Sequence, residues 1–112
     1  MNEYTFRVPI RPKVKERPRI RKDGRRYTPK TTSVYEAAVA ECYTGPRFEG
    51  PVEISILLQK DSSTVTIRES DHKPSPLRGD IDNYMKAIMD ALNGVAYVDD
   101  RQVLVVRAVK GI

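Results

Sequence analysis

The stretch Gly79-Asp80-Ile81-Asp82-Asn83-Tyr84-Met85-Lys86-Ala87-Ile88-Met89-Asp90-Ala91-Leu92-Asn93-Gly94, followed by Val98-Asp99-Asp100, concentrates the acids of this chain and interrupts its apolar pattern with them. Laid out at about 100° per residue, Ile81, Tyr84, Met85, Ile88, Met89 and Leu92 share one apolar sector, and Asp82, Lys86 and Asp90 lie on the opposite edge. The stretch therefore reads as an amphipathic helix whose acids stand off the core face. Asp80 and Asp82, one residue apart at its start, bring two carboxylates close enough to share one hard divalent cation, and oxygen ligands are what Mg²⁺ takes. Lys86 follows Asp82 by one turn on the same edge and can reach what the carboxylates hold. Asn93-Gly94 closes the helix, because glycine tolerates the left-handed conformation of a C-terminal cap. Val95 to Val98 reads as a short extended piece that delivers Asp99-Asp100 to a second strand, Val103 to Val109.

Each residue also has a plain structural reading. Asp80 can be a helix N-cap worth about 1 kcal/mol, and Asp82 a first-turn acid favoured by the helix dipole. Lys86 between Asp82 and Asp90 can be a surface ladder worth a few tenths of a kcal/mol. Asp99-Asp100 can be a turn. Taken singly these readings win; taken together they would have to coincide.

The combined run Asp80-Ile81-Asp82-Asn83-x-x-Lys86, Asp90-Ala91-Leu92-Asn93-Gly94 and Val98-Asp99-Asp100-x-Gln102-Val103 resembles the signature of the RusA family of Holliday junction resolvases. The resemblance implies a Mg²⁺-dependent, homodimeric endonuclease that resolves four-way DNA junctions in recombination and repair. It implies Asp80, Asp82 and Asp100 as metal-binding catalytic acids, with Lys86 as an essential cation. Of the adjacent pair, Asp99 is the weaker candidate for third ligand. Many relatives carry Lys-Pro where this chain has Arg78-Gly79, so the loop entering the site is expected to take its own path.

Charge supports that reading. Residues 1 to 30 carry eleven Lys/Arg against three acids, a balance of +8, and the rest carry nine against twelve, a balance of −3, which together give the net +5. A basic arm beside an acidic centre suits a metal-dependent nuclease, in which the arm binds phosphates and the acids hold the cation. The arm, residues 11 to 30, has no apolar period and is broken by Pro12, Pro18, Gly24 and Pro29. It reads as a loop or an irregular hairpin around Lys22-Asp23-Gly24. Lys13, Lys15, Arg17, Arg19, Arg21, Lys22, Arg25 and Arg26 are its candidate DNA contacts; the plain alternative is a solvated basic loop.

The remaining elements set the fold class. Tyr4 to Ile10 and Pro51 to Gln59 alternate as half-buried strands. Thr31 to Tyr43 reads as a helix capped by Thr32 or Ser33, with Glu36 completing a capping box and Val34, Tyr35, Ala38, Val39 and Cys42 as its stripe. Residues 60 to 79 are polar and read as a mobile loop, with Thr64 to Ile67 as a possible hairpin extension. The expected architecture is a single α/β domain over residues 1–112, a small mixed sheet of about four strands with two helices on one face. The uncovered face is the natural surface of a homodimer, whose two-fold symmetry suits paired cuts in a four-way junction. No run of about 18 apolar residues exists to span a membrane, no signal-peptide pattern leads the chain, and one cysteine forms no internal disulfide. The expectation is a cytoplasmic protein. Two rivals remain: a non-catalytic nucleic-acid-binding protein, and a metal nuclease for another branched DNA or for RNA.

Overall fold

Strand β1 (Glu3–Val8) pairs antiparallel with β5 (Ser63–Glu69), which pairs antiparallel on its other side with β4 (Val52–Leu58). The computed structural model describes residues 2–15, 19–27 and 30–112. Its remaining elements are a two-stranded ribbon of β2 (Arg19–Ile20) and β3 (Arg26–Tyr27), helix α1 (Lys30–Cys42), helix α2 (Ile81–Leu92) and a 3₁₀ turn at Asp100–Gln102. The chain divides into two compact units, Met1–Ser70 and Asp71–Ile112.

In the first unit, register sorts the sheet's two faces. Tyr4, Phe6 and Val8 stand opposite Ile67, Val65 and Ser63, which stand opposite Ile54, Ile56 and Leu58. Side chains alternate between faces along a strand, so these form one apolar surface. Val8 and Val65 are its buried centre. Tyr43, just past α1, sets its ring edge-on to Tyr4 and Phe6 at 5.1 and 5.3 Å. Gly45 passes so close that a Cβ there would lie 2.6 Å from the Tyr4 ring, which is why this position carries no side chain. The β4 side of the surface is uncovered: Ile54, Ile56 and Leu58 are all more than half exposed. The opposite face is polar, with Arg68 between Glu53 at 3.3 Å and Glu3 at 3.8 Å, and Thr5 bonded to Thr66 at 2.9 Å.

Several sequence expectations are corrected. The sheet has three strands and is wholly antiparallel, where about four strands and a mixed sheet were expected. Val103 to Val109 forms no strand: residues 71–112 hold no strand for it to pair with, and Leu104 is 90% exposed. The segment 60–79, expected as a loop with Thr64 to Ile67 as a possible hairpin extension, contributes the longer strand β5 at the centre of the sheet, because Thr64-Val65-Thr66-Ile67 is a run of strand formers whose alternate members face the core. Val95 to Val98 is a tight turn instead of an extended piece, closed by Gly94 N–H to Tyr97 O at 2.8 Å and by Val95 and Ala96 N–H to Leu92 O at 2.9 Å. Helix α1 begins at Lys30, ahead of the expected caps, so Thr32 is buried inside its first turns and Val34 is 59% exposed. The inward stripe is therefore Thr32, Tyr35, Ala38, Val39 and Cys42, without the expected Val34.

Candidate active site

Asp80 occupies the N-cap position of α2 with extended backbone (φ −69°, ψ 141°), and its carboxylate makes no capping hydrogen bond. Its carbonyl accepts instead, from the Asn83 N–H at 3.1 Å and the Tyr84 N–H at 3.4 Å. The plain reading of Asp80 as a side-chain cap is therefore not realised. Beyond it, Asp82, Met85, Lys86, Met89 and Asp90 of α2 line an open cleft of about 390 Å³ together with Asp100. Three carboxylates and one ammonium thus share a concave surface whose floor is two methionines.

The C-terminal end of α2 explains how Asp100 arrives there. Asn93 stops the helix with its N–H on Met89 O, and Gly94 takes φ 79°, the left-handed conformation expected of the cap. The tight turn that follows sends the Tyr97 hydroxyl back to donate to Met89 O at 3.0 Å. The next two acids then separate. Asp99 Oδ1 accepts from the Arg101 N–H at 2.8 Å and from Arg101 Nε at 3.2 Å. Gln102 Oε1 in turn accepts from the Val98 and Asp99 N–H groups at 2.7 and 3.0 Å. Asp99 is thus consumed in capping the 3₁₀ turn. Asp100 Oδ2 accepts a long bond from Asn93 Nδ2 at 3.4 Å, and its Oδ1 is buried with no hydrogen-bond partner. A buried carboxylate oxygen without a donor is costly, and coordination to a cation would offset that cost.

Electrostatics in the cleft are uncompensated. Among the described residues neither Asp82 nor Asp90 forms an ion pair with Lys86, so the alternative reading of a surface i, i+4 ladder is not realised. The Tyr97 phenol is pushed above its ordinary pKa, first by burial, then by hydrogen bonding toward the Asp100 carboxylate, and then by the charges of Asp100 and Asp90. It remains a neutral donor at physiological pH. Asp80 is not part of the cleft lining, and the oxygens of Asp80, Asp82 and Asp100 do not all lie within 4.8 Å of one another. The structure thus brings Asp82, Lys86 and Asp100 together and sets Asp80 at the head of the same helix.

Sequence reading assigned no site role to Asp90, although the helical layout placed it on the edge of Asp82 and Lys86, eight residues and about two turns from Asp82. It read Asn93 only as the helix closure and gave Tyr97 no role. Their signal is spacing: each lies within a turn of Met89 or Asp100.

The basic arm lies in the first unit and folds as an irregular hairpin. Gly24 takes φ 84° at its tip, the Arg21 N–H reaches Arg25 O at 2.7 Å, and Asp23 Oδ1 accepts from the Arg25 N–H at 3.0 Å. Lys13, Arg21, Lys22, Arg25 and Arg26 are exposed, and Lys15 is held by Glu36 of α1 at 2.9 Å. Arg19 pairs with Tyr27 in the ribbon, and Arg17 lies outside the described residues.

A small α/β protein with an acidic cleft beside one lysine, and a hairpin rich in arginine and lysine, has the equipment of a nucleic-acid hydrolase. The family profile described as Endodeoxyribonuclease RusA matches residues 9–112, and the chain belongs to the RusA family. Membership implies a Holliday junction endonuclease. No curated protein and no solved structure matches the chain. No described helix is long and apolar enough to cross a membrane.

Proposed function

We propose that the protein is a Mg²⁺-dependent endodeoxyribonuclease that resolves Holliday junctions in DNA recombination and repair by paired symmetric nicks, acting as a cytoplasmic homodimer. The observation that carries this reading is Asp100 Oδ1, buried without a donor in a cleft shared with Asp82 and Lys86. The donor set is all carboxylate oxygen, which fits a hard divalent cation. Asp82 and Asp100 would hold the ion, with Asp80, whose carboxylate is left over from capping, as the third acid. A bound Mg²⁺ supplies Lewis acidity toward the phosphoryl oxygen and a water of lowered pKa. Lys86 places a positive charge where negative charge grows on the phosphoryl oxygens or the leaving oxygen. The hairpin cations bind the phosphate backbone, so affinity and chemistry reside in different residues. The uncovered apolar side of β4 offers surface for a second copy, and a two-fold pair would present two clefts to a symmetric junction.

Asp82→Asn is expected to abolish cutting of a synthetic four-way junction in Mg²⁺ while retaining binding in a gel shift. Equal loss of both counts against the scheme. The rivals separate by comparing cleavage of four-way junction, flap, duplex and RNA at matched salt. Binding to all without cutting any would favour a non-catalytic binder, and preference for flap or RNA would redirect the substrate. Removing two hairpin cations, Lys22→Ala with Arg26→Ala, should lower the slope of log affinity against log salt by about 1 to 2.

A further inference from the structure

Gly79, the residue before Asp80, has both of its backbone polar groups occupied by side chains. Its N–H donates to the Tyr84 hydroxyl at 3.1 Å, and its carbonyl accepts from Lys110 Nζ at 2.8 Å in a half-buried setting. Its backbone does not need glycine's freedom, since the positive-φ residues are Gly24 and Gly94. Space requires it instead: a Cβ on Gly79 would lie 2.9 Å from the Tyr84 ring and hydroxyl. A proline here would lack the N–H that Tyr84 accepts and would fill the same space. One residue beyond Lys110, the Gly111 carbonyl accepts from Ser75 Oγ at 2.7 Å, and that same Oγ accepts the Leu77 N–H at 3.1 Å. The tail is therefore stitched to the loop at two points, both just ahead of Asp80.

We propose that Lys110 and Tyr84 are positioning residues for Asp80, through which the C-terminal tail sets the metal affinity of the site. The peptide between Gly79 and Asp80 is a rigid plane. Lys110 holds its oxygen and Tyr84 holds the N–H of the peptide before it, so the backbone that enters Asp80 is held at two consecutive peptides. Neither residue touches the reacting atoms. This inference rests on the reading of Asp80 as a metal-holding acid.

The test uses the full chain in Lys110→Met, Lys110→Arg, Tyr84→Phe and Asp80→Asn forms. Mg²⁺ affinity is measured by calorimetry without DNA and by the Mg²⁺ concentration giving half-maximal junction cutting, alongside melting temperature and junction binding in EDTA. Lys110→Met should weaken Mg²⁺ binding about tenfold in both metal measurements, as loss of a residue supporting a metal ligand does, and leave junction binding in place. Lys110→Arg, which can still donate to the carbonyl, should restore most of it. Tyr84→Phe, whose contact lies one peptide further from Asp80, should weaken Mg²⁺ binding by about threefold, less than the loss of a direct supporting contact. An unchanged Mg²⁺ titration in Lys110→Met overturns the proposal. Should that variant unfold, an unchanged titration in Tyr84→Phe, which removes a single oxygen, overturns it equally. If Asp80→Asn itself leaves Mg²⁺ affinity and cutting intact, the assignment of Asp80 fails, and the positioning role fails with it. If Asp80→Asn abolishes both while Lys110→Met and Tyr84→Phe change neither, the positioning role alone fails.

Discussion

On the polar face of the sheet, Arg68 stands between two glutamates and Thr5 is bonded to Thr66, whereas in the acidic segment Asp82, Lys86 and Asp90 line one cleft without an ion pair among them. The first arrangement neutralises charge where strands must stay in register. The second keeps charges of both signs apart and ready for something else. The same contrast divides the two buried oxygens without partners among the described residues: Ser63 Oγ sits in the sheet as a neutral hydroxyl, and Asp100 Oδ1 sits in the cleft as part of an ionisable group. The strands therefore carry the paired charges, and the helix and its following turn carry the unpaired ones. Substitutions in the two regions should be separable by what they damage.

The largest effect expected is on chemistry alone. Asp100→Asn should lower junction cleavage by about a hundredfold or more, on the scale of losing a group that acts at the developing charge, while the melting temperature stays within a few degrees or rises. A variant that loses stability and keeps cutting would break the division. Next, Val8→Ala should cost about 2 kcal/mol in denaturant unfolding, since Val8 is 1% exposed at the centre of the apolar face, and leave Mg²⁺ affinity unchanged. Gly45→Ala should cost about 1 to 3 kcal/mol, because the Tyr4 ring must yield to the new methyl. Asp99→Ala sharpens the contrast inside the acidic segment: loss of a capping side chain should cost about 1 kcal/mol, with cleavage reduced far less than in Asp100→Asn. Equal damage from the two substitutions would mean that Asp99 also meets the metal or substrate. The smallest effect belongs to Lys15→Ala, whose exposed pair with Glu36 should contribute less than about 0.5 kcal/mol, read in the same unfolding assay.

What the sequence revealed follows where the local signal was strong. Helix α2, its closure at Asn93-Gly94 and the hairpin at Lys22-Asp23-Gly24 are fixed by periodicity and by residues with narrow backbone preferences, and all three were legible. Strand β5 was legible only as a possible hairpin extension at Thr64 to Ile67, because Ser63, Thr64 and Thr66 make it polar by composition, and only its pairing with β1 and β4 reveals which side faces inward. Val103 to Val109 erred in the opposite sense. Its apolar residues suit a strand, yet a strand exists only with a neighbour to receive its hydrogen bonds. Within the site, Asp82 and Lys86 were named from spacing and Asp100 from the family resemblance, and one cleft is lined by all three, while Asp90 was seen on the same edge and given no role. The division of labour between Asp99 and Asp100 depended on Arg101 and Gln102, whose contacts no spacing rule discloses.

Asp99 is tied up by the 3₁₀ turn, and its neighbour is left to the cleft. Length between Gly94 and the acid pair therefore matters more than composition. Deleting one residue from this turn would slide the pair by one position, pulling the present cleft acid toward the capping place and bringing Arg101 toward the cleft. Insertions and deletions here should be far less tolerated than any single replacement at Val95, Ala96 or Val98.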